Sequence, residues 1–271
     1  MELFEYGFFR NAFAGVLLLS VASAMIGTYI MSRRLVSIAG GITHACFGGL
    51  GLGYFLGWNP ILMAGVFAVA SSLGIDWMSS RSNVREDSAV AVVWSVGMAL
   101  GVLFVFLTPG YVPELNAFLF GNILTITSAD LWAFGIYTAV LVAVFFLLFN
   151  IIVTTAFDPD FARVKRLPVR AVSTLMTVLV AVCIVLTIRL VGVMLLMSML
   201  SLPQMTAEVF CHRFRTIMLS SIAISAICCI AGLLLGTVID VPCSALIVIV
   251  MAVAYFGARL IRMCSRSSLS A

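Results

Sequence analysis

His44 is the residue in this sequence whose presence is hardest to explain by packing alone. It is one of only two histidines in the chain, and it lies in a stretch of small and apolar residues at positions 40–57, GGITHACFGGLGLGYFLG. A neutral imidazole is a common ligand of divalent transition metals. An ionisable side chain in so apolar a stretch is costly, which makes a functional role a default hypothesis. The alternative is a buried histidine that is hydrogen-bonded to a neighbouring helix.

Small residues surround His44 at helical spacing. Positions 41, 45, 49, 53 and 57 are Gly, Ala, Gly, Gly and Gly, and Gly40 and Gly48 lie one turn to either side of His44 on the adjoining row. Such stripes let helix backbones approach closely in membranes. We therefore predict that this helix is packed inside a bundle, with Gly40, Gly48 and Gly49 lining the face beside the histidine. No side chain of the same helix then crowds the imidazole, which has room to meet a ligand.

A second metal ligand has to come from elsewhere. Cys46 is two residues from His44 and points to the opposite side of the helix, so another helix or a second subunit would supply it. The seven cysteines form no CxxC pair and indicate neither a disulfide framework nor a zinc ribbon. Soft thioethers could contact a soft ion, but core packing is the favoured explanation of the methionines at positions 194, 197, 199 and 205.

Enzymatic motifs are not found in the sequence. It contains no HExxH and no GxxxxGK[ST], so neither a zinc protease site nor an ATP-binding loop is indicated. The string GGLGLG at 48–53 lacks the preceding strand and the following acidic residue of a dinucleotide loop. We therefore predict a chain that is not an enzyme and that binds no cofactor or nucleic acid.

Acidic residues lie mainly at the ends of apolar segments. Arg85, Glu86 and Asp87 precede one such segment, where carboxylates suit the helix amino-terminal dipole. Asp240, followed by Pro242, has the pattern of an N-cap. Structural roles are favoured for all of them.

The composition predicts an all-α integral membrane protein. Hydrophobic residues make up 63% of the chain and charged residues 10%, far from the average of soluble domains. Apolar runs of helical length recur throughout, and about 20 residues are needed to cross a bilayer. We predict a single transmembrane domain over 1–271 with eight or nine spanning helices, the second being short. The nine segments are 11–32, 42–57, 60–79, 89–107, 130–153, 172–188, 192–209, 216–237 and 243–261.

Basic residues predict the orientation of these helices, since Lys and Arg collect in cytoplasmic loops. An external amino terminus and a cytoplasmic carboxyl terminus place every basic residue inside except Arg10 and Arg189.

Two segments are not expected to span the membrane. Segment 114–124 is too short to cross and is expected to lie at the interface or to re-enter, and 157–170 is a long charged loop. The loop 157–170 either binds a cytoplasmic partner or is simply a solvated loop.

Several segments together resemble the permeases of ABC transporters that take up zinc, manganese or ferrous iron. The matching segments are RRL…GGITHACFGG (33–49), NVREDSAVAVVWS (83–95), NAFLFGNIL (116–124), DPDFA…LPV (158–169), VGVMLLMSMLSLPQMTA (191–207) and IDVPCSALIV (239–248). They occur in the family's order over nearly the whole chain, so their combination is more specific than any one of them.

The resemblance implies a homodimeric permease of the inner or plasma membrane that works with cytoplasmic ATPase subunits and an extracytoplasmic metal-binding protein. His44 matches the family histidine that is thought to meet the ion, and a divalent metal would be the transported substrate. The family often has an aspartate where this chain has Gly40, so one carboxylate of the pattern is missing. Asp158, Phe161 and Ala162 match the segment that couples to the ATPase, and Arg85, Glu86 and Asp87 belong to a cytoplasmic motif. The alternatives are an ABC permease for a metal chelate, such as a siderophore or corrinoid, and a secondary transporter working alone.

Overall fold

The computed structural model describes residues 5–81, 85–109, 121, 123–239 and 241–267. Its regular secondary structure in these ranges is helical, as the composition predicts, and a short 3-10 helix, Ile123–Thr125, precedes the fifth α-helix. The α-helices, numbered in chain order, are α1 (Gly7–Ser32), α2 (Val36–Leu56), α3 (Pro60–Arg81), α4 (Glu86–Leu107), α5 (Ser128–Phe157), α6 (Pro159–Val164), α7 (Val169–Met199), α8 (Leu202–Phe210), α9 (Phe214–Ile239) and α10 (Cys243–Ser267).

Eight helical segments in the described part of the chain are long and apolar enough to cross a membrane. This confirms the predicted polytopic all-α bundle, and the chain is a multi-pass protein of the plasma membrane. The helix predicted to be short is extended at its start, because α2 begins at Val36 and continues through Gly40 and Gly41 to a length of 21 residues. Most of the predicted segment 114–124 lies outside the described residues.

The segment predicted over 192–209 is not a separate continuous helix. One of the eight segments, Val169–Phe210, contains 42 residues, about twice the length that crosses a bilayer. It bends at Gly192, whose φ of 79° and ψ of 172° suit glycine alone. It is interrupted again between α7 and α8, at Leu200 and Ser201.

The side chain of Gln204 forms hydrogen bonds at the second interruption. Pro203 has no N–H, so the Met199 carbonyl loses its usual helical donor. Gln204 Nε2 donates to that oxygen at 3.2 Å and to the Ser23 carbonyl oxygen of α1 at 3.1 Å. Gln204 is fully buried, and Gly27 of α1 leaves the space for its amide, which a Cβ would overlap. One side chain thus closes the break and ties it to α1.

The chain divides into two compact units. The first contains residues 1–31, 120–143 and 190–271, and the second contains 32–119 and 144–189. The two long helices α5 and α7 contribute residues to both units, so neither unit is a continuous stretch of sequence. A single domain over 1–271 stays a prediction.

Contacts in the first unit show which of its segments pack against α1 and against one another. Near the start of α1, Asn11 Nδ2 donates to the Ile126 carbonyl oxygen at 3.2 Å, and the backbone of Gly121 touches that of Val191 and Gly192. Residues 192 to 204 then lead from this region to Ser23, twelve residues further along α1 than Asn11. The orientation of the two termini stays a prediction.

Candidate functional site

The helix that carries His44 lies between α3 and α4 in the second unit. Its backbone touches that of α4, because a Cβ on Gly97 would lie 2.5 Å from Ala45 Cα, and one on Gly51 would lie 2.5 Å from the Gly101 oxygen. Thirteen of its residues are buried. His44 is therefore carried by a tightly held helix.

The predicted glycines line this contact on two sides. A Cβ on Gly48 would lie 2.7 Å from Phe67 Cε1 and 2.9 Å from the Gly97 oxygen, and one on Gly49 would lie 2.7 Å from Ala64 Cα. Gly40 is buried as well. Side chains of neighbouring helices therefore occupy part of the space that the sequence suggested would be open beside the imidazole.

Trp94 of α4 covers one face of the His44 ring. The ring centroids lie 4.4 Å apart and the two planes differ by 1°. Phe47, on the helix of His44 itself, is further away, with its centroid at 6.4 Å. Trp94 remains 43% exposed while it makes this contact, so the pair lies at the surface of the second unit rather than in its interior.

His44 Nδ1 is buried and has no hydrogen-bond partner among the described residues. The alternative explanation of His44, a histidine that is hydrogen-bonded to a neighbouring helix, finds no partner for Nδ1 among these residues. The imidazole as a whole is half-buried. Within the described residues the ring is thus contacted by stacking and has an unpartnered Nδ1.

The described residues do not supply a complete metal site. They contain no group of three or more His, Cys, Asp or Glu side chains placed to hold an ion. Cys46 is buried and lines a separate, narrow apolar pocket with residues that include Leu50, Ile61 and Ala64. The described part of one chain therefore offers His44 as a single contact.

The predicted coupling residues lie on and beside α6, the short helix between α5 and α7. Asp158 caps this helix, since its carboxylate accepts a hydrogen bond from the Phe161 N–H at 2.8 Å. Pro159 occupies the first turn, where its missing N–H has no cost. Ala162 is fully buried and Phe161 is 47% exposed. The predicted loop 157–170 thus contains a short capped helix, and an aromatic ring on this helix lies at the surface.

Charged groups surround that aromatic ring. Lys165 Nζ lies 4.7 Å from the centroid of Phe161, and Arg163 donates to the exposed carboxylate of Asp160 at 2.8 Å. Exposed pairs of this kind add little stability. The short helix α6 thus carries exposed charged side chains as well as the exposed ring of Phe161.

We expect Asp158→Ala to loosen α6 without unfolding the bundle. The substitution removes the N-cap, which typically costs about 1 kcal/mol. Amide hydrogen exchange of residues 159–165 should become faster, while exchange in α5 and α7 stays unchanged. Asp158→Asn, which keeps a capping oxygen, is the matched control and should exchange like the unchanged protein. Equal protection in the alanine variant would show that the cap does not stabilise this helix.

The predicted cytoplasmic motif stands at the start of α4. Arg85 occupies the N-cap position without a side-chain capping bond, and its carbonyl oxygen accepts from the Ser88 and Ala89 N–H groups. Asp87 is exposed in the first turn, where a carboxylate suits the helix dipole. Asp240, the other predicted cap, lies outside the described residues.

Sequence reasoning missed two residues that matter here, Trp94 and Gln204. A signal for the first was present, because Gly97 and Gly101 repeat the small-residue spacing of α2 and Trp94 lies one turn before them. For the second, the presence of Pro203 indicated a break in the helix but did not indicate which side chain would close it.

The chain is similar to known membrane transport proteins in sequence and in fold. A "Probable metal transport system membrane protein" of Chlamydia pneumoniae is 34% identical over 87% of this chain and 83% of its own length. The "Manganese transport system membrane protein MntC" of Listeria innocua is 26% identical over 94% of this chain and 90% of its own length. The structure of PsaBC from Streptococcus pneumoniae in complex with Fab is similar in fold, with a TM-score of 0.84, 24% identity and coverage of 94% of this chain and 92% of that chain.

The family model named "ABC 3 transport family" matches residues 5–262. This range runs from the described start of the chain to the last turns of α10, and it includes α2, α4 and α6. The relatives align over most of their own length as well as over most of this chain. The chain belongs to the ABC 3 transport family, as a transport subunit.

Proposed function

We propose that this chain is the membrane-spanning permease of an importer for divalent metal ions, driven by ATP hydrolysis in a separate subunit. Membership of an ABC transport family favours this role over that of a secondary transporter working alone. Relatives aligned over most of the chain carry the names of metal and manganese transport proteins. The observation that carries the proposal is the imidazole of His44, with its buried and unpartnered Nδ1, on a helix that is otherwise small and apolar.

A single imidazole is better suited to a site through which an ion passes than to a site that retains the ion. An ion that crosses a membrane must bind well enough to enter and weakly enough to leave. Gly40 offers no carboxylate one turn from His44, and the described residues contain no group of three or more His, Cys, Asp or Glu side chains placed to hold an ion. We propose that His44 is a brief contact for an ion that exchanges its remaining ligands with water or with a second copy of the chain. Imidazole suits several divalent transition metals, so the ion is zinc, manganese or ferrous iron.

The proposed mechanism is alternating access driven from the cytoplasmic side. Two copies of the chain form a homodimer, and an ATPase subunit docks on each copy at α6. The exposed ring of Phe161 and the capped geometry set by Asp158 support this contact. Hydrolysis rocks the two permease copies, and an extracytoplasmic binding protein delivers the ion to the path that includes His44.

The proposal is tested by transport in proteoliposomes that contain the full chain and a partner ATPase subunit. With the binding protein present, we expect uptake of at least one of Mn²⁺, Zn²⁺ or Fe²⁺ to depend on ATP. Uptake should stop when ATP is replaced by a non-hydrolysable analogue. Uptake of a ferric siderophore or a corrinoid in place of the free ion would instead establish the chelate permease. ATP-independent uptake would contradict the ABC mechanism.

A further inference from the structure

We infer that Trp94 is a positioning residue for the metal contact, holding the His44 ring in the orientation in which it meets the ion. The inference rests on the proposed function of His44 and adds a residue of α4 to it. Its basis is the parallel stack of the two rings, with centroids 4.4 Å apart and planes 1° from parallel.

The stack on Trp94 takes the place of the hydrogen bond that usually orients a histidine ring. A histidine is usually oriented by a hydrogen bond to one ring nitrogen, which fixes the position of the other. His44 Nδ1 has no such partner among the described residues. The neighbouring positions Gly40 and Gly48 carry no side chain to hold the ring. The flat face of Trp94 is the nearest aromatic contact of the ring and limits its rotation.

The backbone around the pair makes the stack rigid. Ala45, which follows His44, lies against Gly97, which is one turn after Trp94. The Cβ that Gly97 lacks would come within 2.5 Å of Ala45 Cα, so the two helices cannot be closer at this point. The stacked rings are thus carried by two backbones in direct contact, and their relative position is fixed by the helices.

The indole also favours a cation on the imidazole. The face of a tryptophan ring attracts positive charge more strongly than the face of any other aromatic side chain. An imidazole that has bound a divalent ion carries part of the positive charge of that ion. Trp94 therefore stabilises the ion-bound ring relative to the free ring, in addition to orienting it. A phenylalanine at this position would keep the flat surface and part of the attraction, whereas a leucine would keep neither.

The first test measures Mn²⁺ uptake by the complete transporter. We expect Trp94→Leu to raise the KM about threefold to thirtyfold, the range that corresponds to the loss of one cation–π contact. The maximal rate per assembled transporter should change less, because the coupling to ATP is untouched. Trp94→Phe should restore most of the affinity. A KM equal to that of the unchanged protein in the leucine variant would overturn the inference.

The second test uses the fluorescence of Trp94 itself, which reports whether a metal ion binds to the ring stacked against it. The chain has four tryptophans, and the other three, Trp58, Trp77 and Trp132, are more than half exposed and can be changed to Phe. In lipid nanodiscs, Mn²⁺ bound to a stacked imidazole should quench Trp94 emission saturably. Mg²⁺, which prefers oxygen ligands, should not. Quenching should disappear when His44→Ala is added, and quenching that persists would overturn the inference.

The two tests separate this inference from the proposed function. If His44→Ala transports Mn²⁺ normally, the proposed metal contact is wrong and the role of Trp94 falls with it. If transport needs His44 while Trp94→Leu has an unchanged KM and Trp94 emission does not respond to Mn²⁺, only the positioning role is wrong.

Discussion

Replacing His44 with alanine is expected to abolish metal uptake, lowering its rate at least tenfold, which corresponds to about 1.4 kcal/mol in the barrier. The variant removes the imidazole whose Nδ1 has no hydrogen-bond partner among the described residues, and those residues contain no group of three or more His, Cys, Asp or Glu side chains that could hold the ion instead. The measurement is ATP-driven uptake of Mn²⁺, Zn²⁺ and Fe²⁺ in proteoliposomes, normalised to the amount of assembled transporter.

Two further variants make the result specific. His44→Phe keeps an aromatic ring against Trp94 but has no nitrogen, so it should be as inactive as the alanine variant while packing normally. His212, the other histidine of the chain, is exposed, and His212→Ala should transport like the unchanged protein. Normal uptake by His44→Phe in membranes that contain the protein would remove His44 from the path.

Replacing Phe161 with aspartate is expected to uncouple the permease from its ATPase. The ring is 47% exposed on a helix whose geometry depends on Asp158 and Ala162 rather than on the ring. A carboxylate in its place would put a charge into the centre of the proposed apolar contact, where unpaired charges are costly. We expect ATP-driven uptake to fall at least tenfold, about 1.4 kcal/mol, together with the amount of ATPase that co-purifies with the permease.

The chain offers a matched control for this variant. Phe8, near the start of α1, is 45% exposed, and it lies on the side of the membrane that the charge pattern predicts to be external. Phe8→Asp should therefore leave ATPase binding intact. Loss of ATPase binding in both variants would show a general effect of the charge, and normal binding in Phe161→Asp would exclude this ring from the contact.

Much of the fold could be predicted because the membrane restricts the possibilities. Apolar runs of spanning length have to be helices, since the backbone has no other partner in lipid. The exception was 169–210, where hydropathy could not show that the span predicted to begin at the Gly192 kink would break again between Met199 and Leu202. These breaks depend on a glycine conformation and on the side chain of Gln204, which bonds a residue 181 positions away.

The site could be predicted only in part, for a related reason. The small-residue stripe of α2 indicated a tightly packed helix around His44, which the contacts with Gly97 and Gly101 now describe. Which side chain would face the imidazole depends on the rotation of α4 about its own axis, and one sequence does not specify this rotation. Trp94 was accordingly overlooked, although its spacing from Gly97 placed it on the correct face.

The hydrogen bond from Gln204 to Ser23 also bears on the order in which the protein is assembled during synthesis. The two residues are 181 positions apart, so at 5–20 residues per second α1 is made roughly 10 to 40 seconds before α8. Throughout that interval Gly27 lacks the neighbours that it has in the folded protein, the Gln204 amide and the Leu200 carbonyl oxygen. The helix α1 therefore reaches these contacts only after α8 has been made, and the first unit is completed late in translation.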